Sequence, residues 1–286
     1  MRLNHNMASL NIFRASSKAL KNQSAALERI SSGYKINNAK DGPAVIAQSE
    51  RMRMQIRGLQ MAGRNSQDGI SMLQTAEGGL DSMTNMLQRI RELVVQSGSG
   101  SNTVEDRKTI QNEIDQMIDG MDSIANNTEF NGKKLLYEDR ELQMPIGANP
   151  GESVTIQQKN LTSSNIKTTD GKALYQIKSG ELYNITDANN LDNALGIVDN
   201  ALNTIVSFRS KYGALENRFE SSFQDINEMA DKMEGADSNL RDADIAQEMM
   251  EFAKDNILSE AGNAMMVQSN KIPQDVLRIL ENVRSK

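Results

Sequence analysis

The sequence predicts a mainly α protein, an elongated rod of long antiparallel coiled-coil-like helices with a small β-hairpin region in the middle of the chain. Three observations predict it. Apolar residues recur on a three-four step near both ends, a seam from Leu191 to Met233 alternates four and three without a break, and the helical period stops for a long stretch between Asn126 and Asn190. Composition agrees, because the 286 residues include no Trp, no Cys and only 4 Pro, and aromatic residues make up 4%. Such a chain suits narrow apolar seams better than one broad core.

The first helix is expected from Leu3 to about Ser31, with Leu3, Leu10, Phe13, Leu20 and Leu27 on one stripe and Met7 and Ile30 beside it. Asn6, Ser17 and Ser24 interrupt that stripe, so the helix is marginal alone and needs a partner. Ser32 to Pro43 reads as a loop, and Pro43 suits the first position of a new helix. That second helix is expected from Ala44 to Gln96, roughly 80 Å long. Ile56, Leu59, Ile70, Leu73, Leu80, Leu87 and Val94 keep its register, and the Gly98 to Asn102 run ends it. A third helix carries Ile110, Ile114, Met117, Met121 and Ile124, and the short connection makes these two helices antiparallel neighbours.

Asn131-Gly132 signals a tight turn. Leu142, Met144 and Ile146 alternate with polar residues, residues 147–151 turn, and Val154 and Ile156 alternate again, which predicts a hairpin in a small, mostly β region. The long seam follows through Leu191, Leu195, Val198, Leu202, Ile205, Arg209, Tyr212, Glu216, Phe219, Phe223, Ile226, Ala230 and Met233. Its two charged members, Arg209 and Glu216, are expected to fix register at some cost in stability. Past Gly235, Asp242-Ala243-Asp244 reads as a helix N-cap. A last helix carries Leu258, Met265, Ile272 and Ile279 at seven-residue steps, with a kink or break expected at Pro273. The domain layout is therefore 1–43, 44–125, 126–190, 191–235 and 236–286, with the second and fourth segments forming one rod.

Nothing in the sequence builds an active site, so no catalysis, cofactor or metal is expected. His5 is the one histidine and Cys is absent, which excludes histidine triads, Cys–His pairs, thiolate metal sites and a zinc-binding H-E-x-x-H. The carboxylate pairs Asp115/Asp119 and Glu248/Glu251 stand near one helical turn apart and read as solvated faces. Met83, Met86, Met249, Met250, Met265 and Met266 read as gap-fillers on or beside the stripes. A net charge of −6 gives no case for nucleic acid or for an anionic membrane. The start of the chain has no apolar signal region, so by ordinary rules it stays inside the cell.

Several runs resemble the bacterial flagellin family. They are Leu27 to Asn37 (L-E-R-I-S-S-G-Y-K-I-N), Met52 to Leu59, Asn65 to Ile70, Thr75 to Gly78, Leu87 to Leu93, Glu129 to Gly132 and Arg241 to Ala246, with the closing segment from Ile257 to Leu280. They follow one another in the family's order and leave out little except 157–190. Gly42-Pro43 departs from the family's acidic residue and Ala, which bears on the rigidity of that loop, and the centre is minimal.

The resemblance implies a secreted structural subunit of the extracellular flagellum, exported unprocessed by the flagellar type III apparatus and assembled under a filament cap. Its implied partners are copies of itself, a dedicated export chaperone, and the cap and hook–filament junction proteins. The terminal helices would make an inner tube, the middle helices an outer tube, and the β region would face outward. Leu3, Leu10, Phe13, Leu20 and Leu27 are expected to pack against Leu258, Met265, Ile272 and Ile279 of the same and neighbouring subunits, ordering on assembly. Arg89, Leu93 and Glu113 match positions where the family is recognised by the vertebrate Toll-like flagellin receptor. Thr162, Ser163, Ser164, Thr168 and Thr169 would lie outward as glycosylation acceptors. The alternative within the class is a hook–filament junction protein, against which the Leu87 to Leu93 run and the hairpin favour the main filament subunit. A filament-borne metallopeptidase lacks its H-E-x-x-H here, and the acidic balance disfavours a membrane-active protein.

Overall fold

Where the sequence sets apolar residues on a three-four step, the chain is helical: α1 (Met7–Ser32), α2 (Pro43–Ser97), α3 (Val104–Asn127), α4 (Leu191–Arg241) and α5 (Ile245–Arg284). The computed structural model describes residues 6–168 and 171–284, and the side chains at 188, 277 and 279–284 lie outside that description. Leu3, His5 and Thr169 are thus outside the described residues, as is the side chain of Ile279. Two compact units divide the chain, one formed by Met1–Met54 with Lys232–Lys286 and the other by Gln55–Asp231.

In the Gln55–Asp231 unit the helices run antiparallel. Arg91 pairs with Asp199 at 2.7 Å, Arg209 with Asp81 at 3.0 Å, and Gln74 with Glu216 at 2.7 Å, so numbers on α4 fall as those on α2 rise. Arg209 and Glu216, the charged members of the seam, each meet a polar partner on α2 in that register. Leu73, Leu80, Leu87 and Val94 of α2 and Val198, Ile205, Tyr212, Phe219 and Ile226 of α4 are buried at seven-residue steps. Ile110, Ile114, Ile118, Met121 and Ala125 of α3 join them, while Met117 and Ile124 pack at the margin. A capping box between Thr103 and Asp106 starts α3.

Two hairpins lie in the middle of this unit. β1 (Glu129–Phe130) pairs with β2 (Lys133–Lys134) around Asn131 and Gly132, both left-handed. β3 (Arg140–Pro145) pairs with β4 (Ser153–Gln158), Leu142 opposite Ile156 and Met144 opposite Val154. The region is less β than its alternation suggested, because the described residues of 159–168 and 171–190 form mostly turns and two short 3-10 helices. Small residues on α2 admit the hairpins closely: an added Cβ at Gly58 would stand 3.0 Å from that of Ala148, and one at Gly69 would stand 3.2 Å from the Met144 sulfur.

In the unit of both termini, α1 starts at Met7, later than the expected Leu3, because Asn6 is its extended N-cap and accepts from the Ser9 N–H at 3.1 Å. Gly33 closes it in the left-handed conformation. α4 continues past Gly235 to Arg241, and Asp244 caps α5 by accepting from Ala246 and Gln247. The two helix changes are clasped together: the Ala243 N–H donates to the Gly33 carbonyl at 2.9 Å and the Lys35 N–H to the Arg241 carbonyl at 2.8 Å. Arg241 also lies 4.8 Å over the Tyr34 ring and pairs with Glu50. α5 does not break at Pro273, which lies inside it.

Candidate assembly interface

The terminal pair is antiparallel, as Asn6 reaches Ser269, Gln23 reaches Asn256 at 3.1 Å, and Arg29 reaches Glu248 at 2.8 Å. Its seam mixes small residues with larger ones, Ile12, Ile30, Phe252 and Met266 half-buried among them. Ser16, Ala19 and Ala26 of α1 are buried, as are Asp255, Ser259 and Ser269 of α5, and an added Cβ at Gly262 would stand 3.2 Å from the Ser16 Cβ. On α1 the buried and half-buried column is 9, 12, 16, 19, 23, 26 and 30, and on α5 it is 252, 255, 259, 262, 266, 269 and 273, each stepping three and four. Where small side chains meet, as at Ser16 and Gly262, the two backbones approach closely.

The stripes singled out from sequence lie one position away from that seam on both helices and face outward. Leu10, Phe13, Leu20 and Leu27 of α1 and Leu258, Met265 and Ile272 of α5 are all between 41% and 58% exposed. Packing of one stripe against the other within the chain is therefore not what joins the helices. One residue along a helix turns the side chain by about 100°, which separates the contact face from the exposed apolar stripe.

Of the three receptor-matched residues, Arg89 and Glu113 are exposed and bonded to each other at 3.2 Å, with Glu92 on the other side of Arg89 at 3.0 Å. The hydrogen bonds it donates to Glu92 and Glu113 raise the Arg89 pKa. Leu93 does not belong to that surface, because it is 1% exposed and packed in the core. Its place at seam spacing from Ile90 and Leu87 puts it on the inner face of α2.

The carboxylate pairs are not free solvated faces. Glu248 and Glu251 both receive Arg29. Asp115 accepts from the Ser179 N–H at 3.1 Å, Asp119 pairs with Lys178, and Asp122 accepts from the Ser163 N–H and hydroxyl at 2.7 Å each. Beside them the buried Gln111 donates to the Ile177 carbonyl and accepts from the Ile185 N–H. One face of α3 thus fastens the 163–185 segment. The acids were visible in sequence, but partners 41 to 64 residues away were not.

Residues 3–140 match the bacterial flagellin N-terminal helical region and residues 195–280 the bacterial flagellin C-terminal helical region. The chain is similar to a flagellin of Bacillus subtilis (strain 168), 42% identical over 98% of this chain and 100% of that relative. It is also similar to a flagellin of Halalkalibacterium halodurans, 39% identical over 98% and 100%. In fold it resembles a flagellar hook-associated protein from Vibrio parahaemolyticus, with a TM-score of 0.59 and 16% identity over 71% of this chain and 100% of that one. Both helical family regions and full-length relatives at this identity place the chain in one family: it belongs to the bacterial flagellins, the structural subunits of the flagellar filament.

Proposed function

We propose that this flagellin polymerises through the two apolar stripes its terminal helices leave uncovered. The observation that carries the reading is that seven large apolar side chains of the pair, Leu10, Phe13, Leu20 and Leu27 with Leu258, Met265 and Ile272, stay exposed beside the seam. Leu3 and Ile279 continue the same seven-residue spacing. Burying each such side chain is worth about 1.5–3 kcal/mol, so association of copies supplies what a single pair forgoes. In this layout 1–43 and 236–286 line the inner tube, 44–125 and 191–235 form the outer tube, and 126–190 faces outward.

The same stripes account for the remaining partners we assign. An amphipathic helix left exposed before assembly is an association hazard, which an export chaperone on α5 relieves. Copies at the ends of the filament meet the cap and the hook–filament junction proteins, outside the cell. The role is structural and carries no catalysis. For a vertebrate Toll-like flagellin receptor, the exposed Arg89–Glu113 pair offers the contact, with Leu93 supporting α2 from beneath.

Electron microscopy of the purified chain before and after seeding tests the reading, with filaments expected. A chain lacking residues 1–31 is expected to stay soluble, partly helical and unpolymerised; filaments of normal diameter from it would overturn the mechanism. Arg89→Ala is expected to abolish receptor signalling while leaving polymerisation intact, and unchanged signalling counts against the receptor assignment.

A further inference from the structure

A loop tip and a groove in the Gln55–Asp231 unit complement each other without meeting in one chain. The groove lies between β4 and α4, a cavity of about 400 Å³ with Thr155 and Gln157 on one wall and Ala214 and Leu215 on the other. Lys211 and Arg218 stand one helical turn to either side of this apolar floor. Lys211 lies 5.1 Å over the Phe208 ring, and neither cation is in an ion pair among the described residues. The Tyr212 hydroxyl holds the groove's two sides together by donating to the Gln157 carbonyl at 3.1 Å.

The tip is the turn after the 3-10 helix Leu174–Ile177, at Gly180, Glu181 and Leu182. Gly180 adopts φ 87, a left-handed conformation suited to glycine. Asp115 and Asp119 hold the tip from one side and Gln111 from the other, through Ser179, Lys178 and Ile185. On this fixed turn Leu182 is 69% exposed, more than any other large hydrophobic residue among those described. Glu181 beside it is exposed and in no ion pair among the described residues. A pre-organised apolar knob with an adjacent carboxylate matches an apolar floor between two unpaired cations.

We propose that the Glu181–Leu182 tip of one copy seats in the β4–α4 groove of the next, Leu182 on Ala214 and Leu215 and the Glu181 carboxylate against Lys211 and Arg218. Tip and groove are different surfaces, so the contact is head-to-tail, the class of contact that can propagate along a filament. The inference rests on the filament reading above and adds to the terminal stripes a contact outside them.

The chain has no Cys, so a Leu182→Cys/Ala214→Cys variant carries the only two thiols. Under a mild thiol oxidant it is expected to give covalent multimers in filaments and none in dispersed monomer. Filaments that form but do not cross-link, or thiols that join within one chain, overturn the tip contact alone. Wild-type chain that grows no filament from seeds sinks the filament reading itself. Leu182→Asp is expected to raise the critical concentration for seeded growth by about tenfold or more. Glu181→Lys and Arg218→Glu are each expected to raise it by about threefold, and together to bring it back toward wild type. Singles that match wild type, or a double that adds their defects, overturn the proposal.

Discussion

Asn6 and Ser269 stand 263 positions apart, and the Asn6 side-chain amide donates to the Ser269 carbonyl at 3.0 Å. That carbonyl is the one an α-helix assigns to the N–H of residue 273, and Pro273 has none to give. The Asn6 Oδ1 meanwhile accepts from the Ser9 N–H at 3.1 Å. One side chain thus caps α1 and fills the gap in α5, where sequence alone predicted a kink or break. Asn6→Asp keeps the cap and loses the donor, and is expected to cost the terminal pair about 1 kcal/mol. Asn6→Ala loses both, at about 2 kcal/mol. Pro273→Ala restores the helical donor, so in that background Asn6→Asp is expected to cost less than half as much. Thermal melts of the four chains measure the coupling, and strictly additive costs would refute it.

Neighbouring glycines in α2 are expected to respond in opposite directions. Nothing lies within 4 Å of a Cβ added at Gly78, so Gly78→Ala removes backbone freedom from the unfolded chain and gains about 0.5–1 kcal/mol. At Gly79 the added Cβ would stand 2.8 Å from the Thr128 hydroxyl and 3.0 Å from Leu136, under the first hairpin. Gly79→Ala must displace one of them, at about 1–3 kcal/mol. Denaturant midpoints of the two variants should fall on either side of wild type; a shared direction would show that close approach of the hairpin is not what keeps Gly79.

How legible each seam was depended on the size of the residues it buries. The α4 seam could be read because Val198, Ile205, Tyr212, Phe219 and Ile226 are large, apolar and evenly spaced, and all five are buried. At the ends the same method found the wrong face for the intrachain contact. The regular stripe of Leu10, Phe13, Leu20 and Leu27 with Leu258, Met265 and Ile272 is exposed there, while Ser16, Ala19, Ser259 and Gly262 close the pair beside half-buried Ile12, Ile30, Phe252 and Met266. The overlooked signal was a second three-four column one position away, in which Ser, Ala and Gly alternate with larger residues, so that its mean hydropathy does not stand out. Bonds such as Asp122 to Ser163 were beyond reach for another reason, since a charged helix face does not name the loop that returns to it.

Arg29 tests how far the terminal pair depends on polar contacts at its clasped end. Its guanidinium reaches Glu248 at 2.8 Å and Glu251 at 3.4 Å, with Glu248 only 13% exposed and its other oxygen buried without a partner. The hydrogen bond to Glu248 raises the Arg29 pKa. Arg29→Met strands the Glu248 carboxylate and is expected to cost about 2 kcal/mol, while Arg29→Met/Glu248→Met recovers most of it by removing both charges. Glu251→Gln, at the exposed rim, is expected to stay within about 0.5 kcal/mol. Hydrogen exchange along α1 reads these differences, and a double variant as unstable as Arg29→Met alone would contradict the account.

Tyr212 sets the alkaline limit of the Gln55–Asp231 unit. Burial pushes its phenol up to about 12, from an ordinary value near 10. Between those values the unfolded chain gives up the proton and the folded chain keeps it, so the folded state binds more protons and stability falls as pH rises. The contribution is fully present below about pH 10 and is lost by about pH 12, amounting to about 2 kcal/mol. Tyr212→Phe has no proton to lose but forfeits the hydrogen bond to the Gln157 carbonyl at 3.1 Å, a cost of about 1 kcal/mol at neutral pH. The stability curves are therefore expected to cross, with wild type ahead at neutral pH and Tyr212→Phe ahead above about pH 11. Urea unfolding of both chains across that range decides it, and parallel curves would mean that another group sets the alkaline limit.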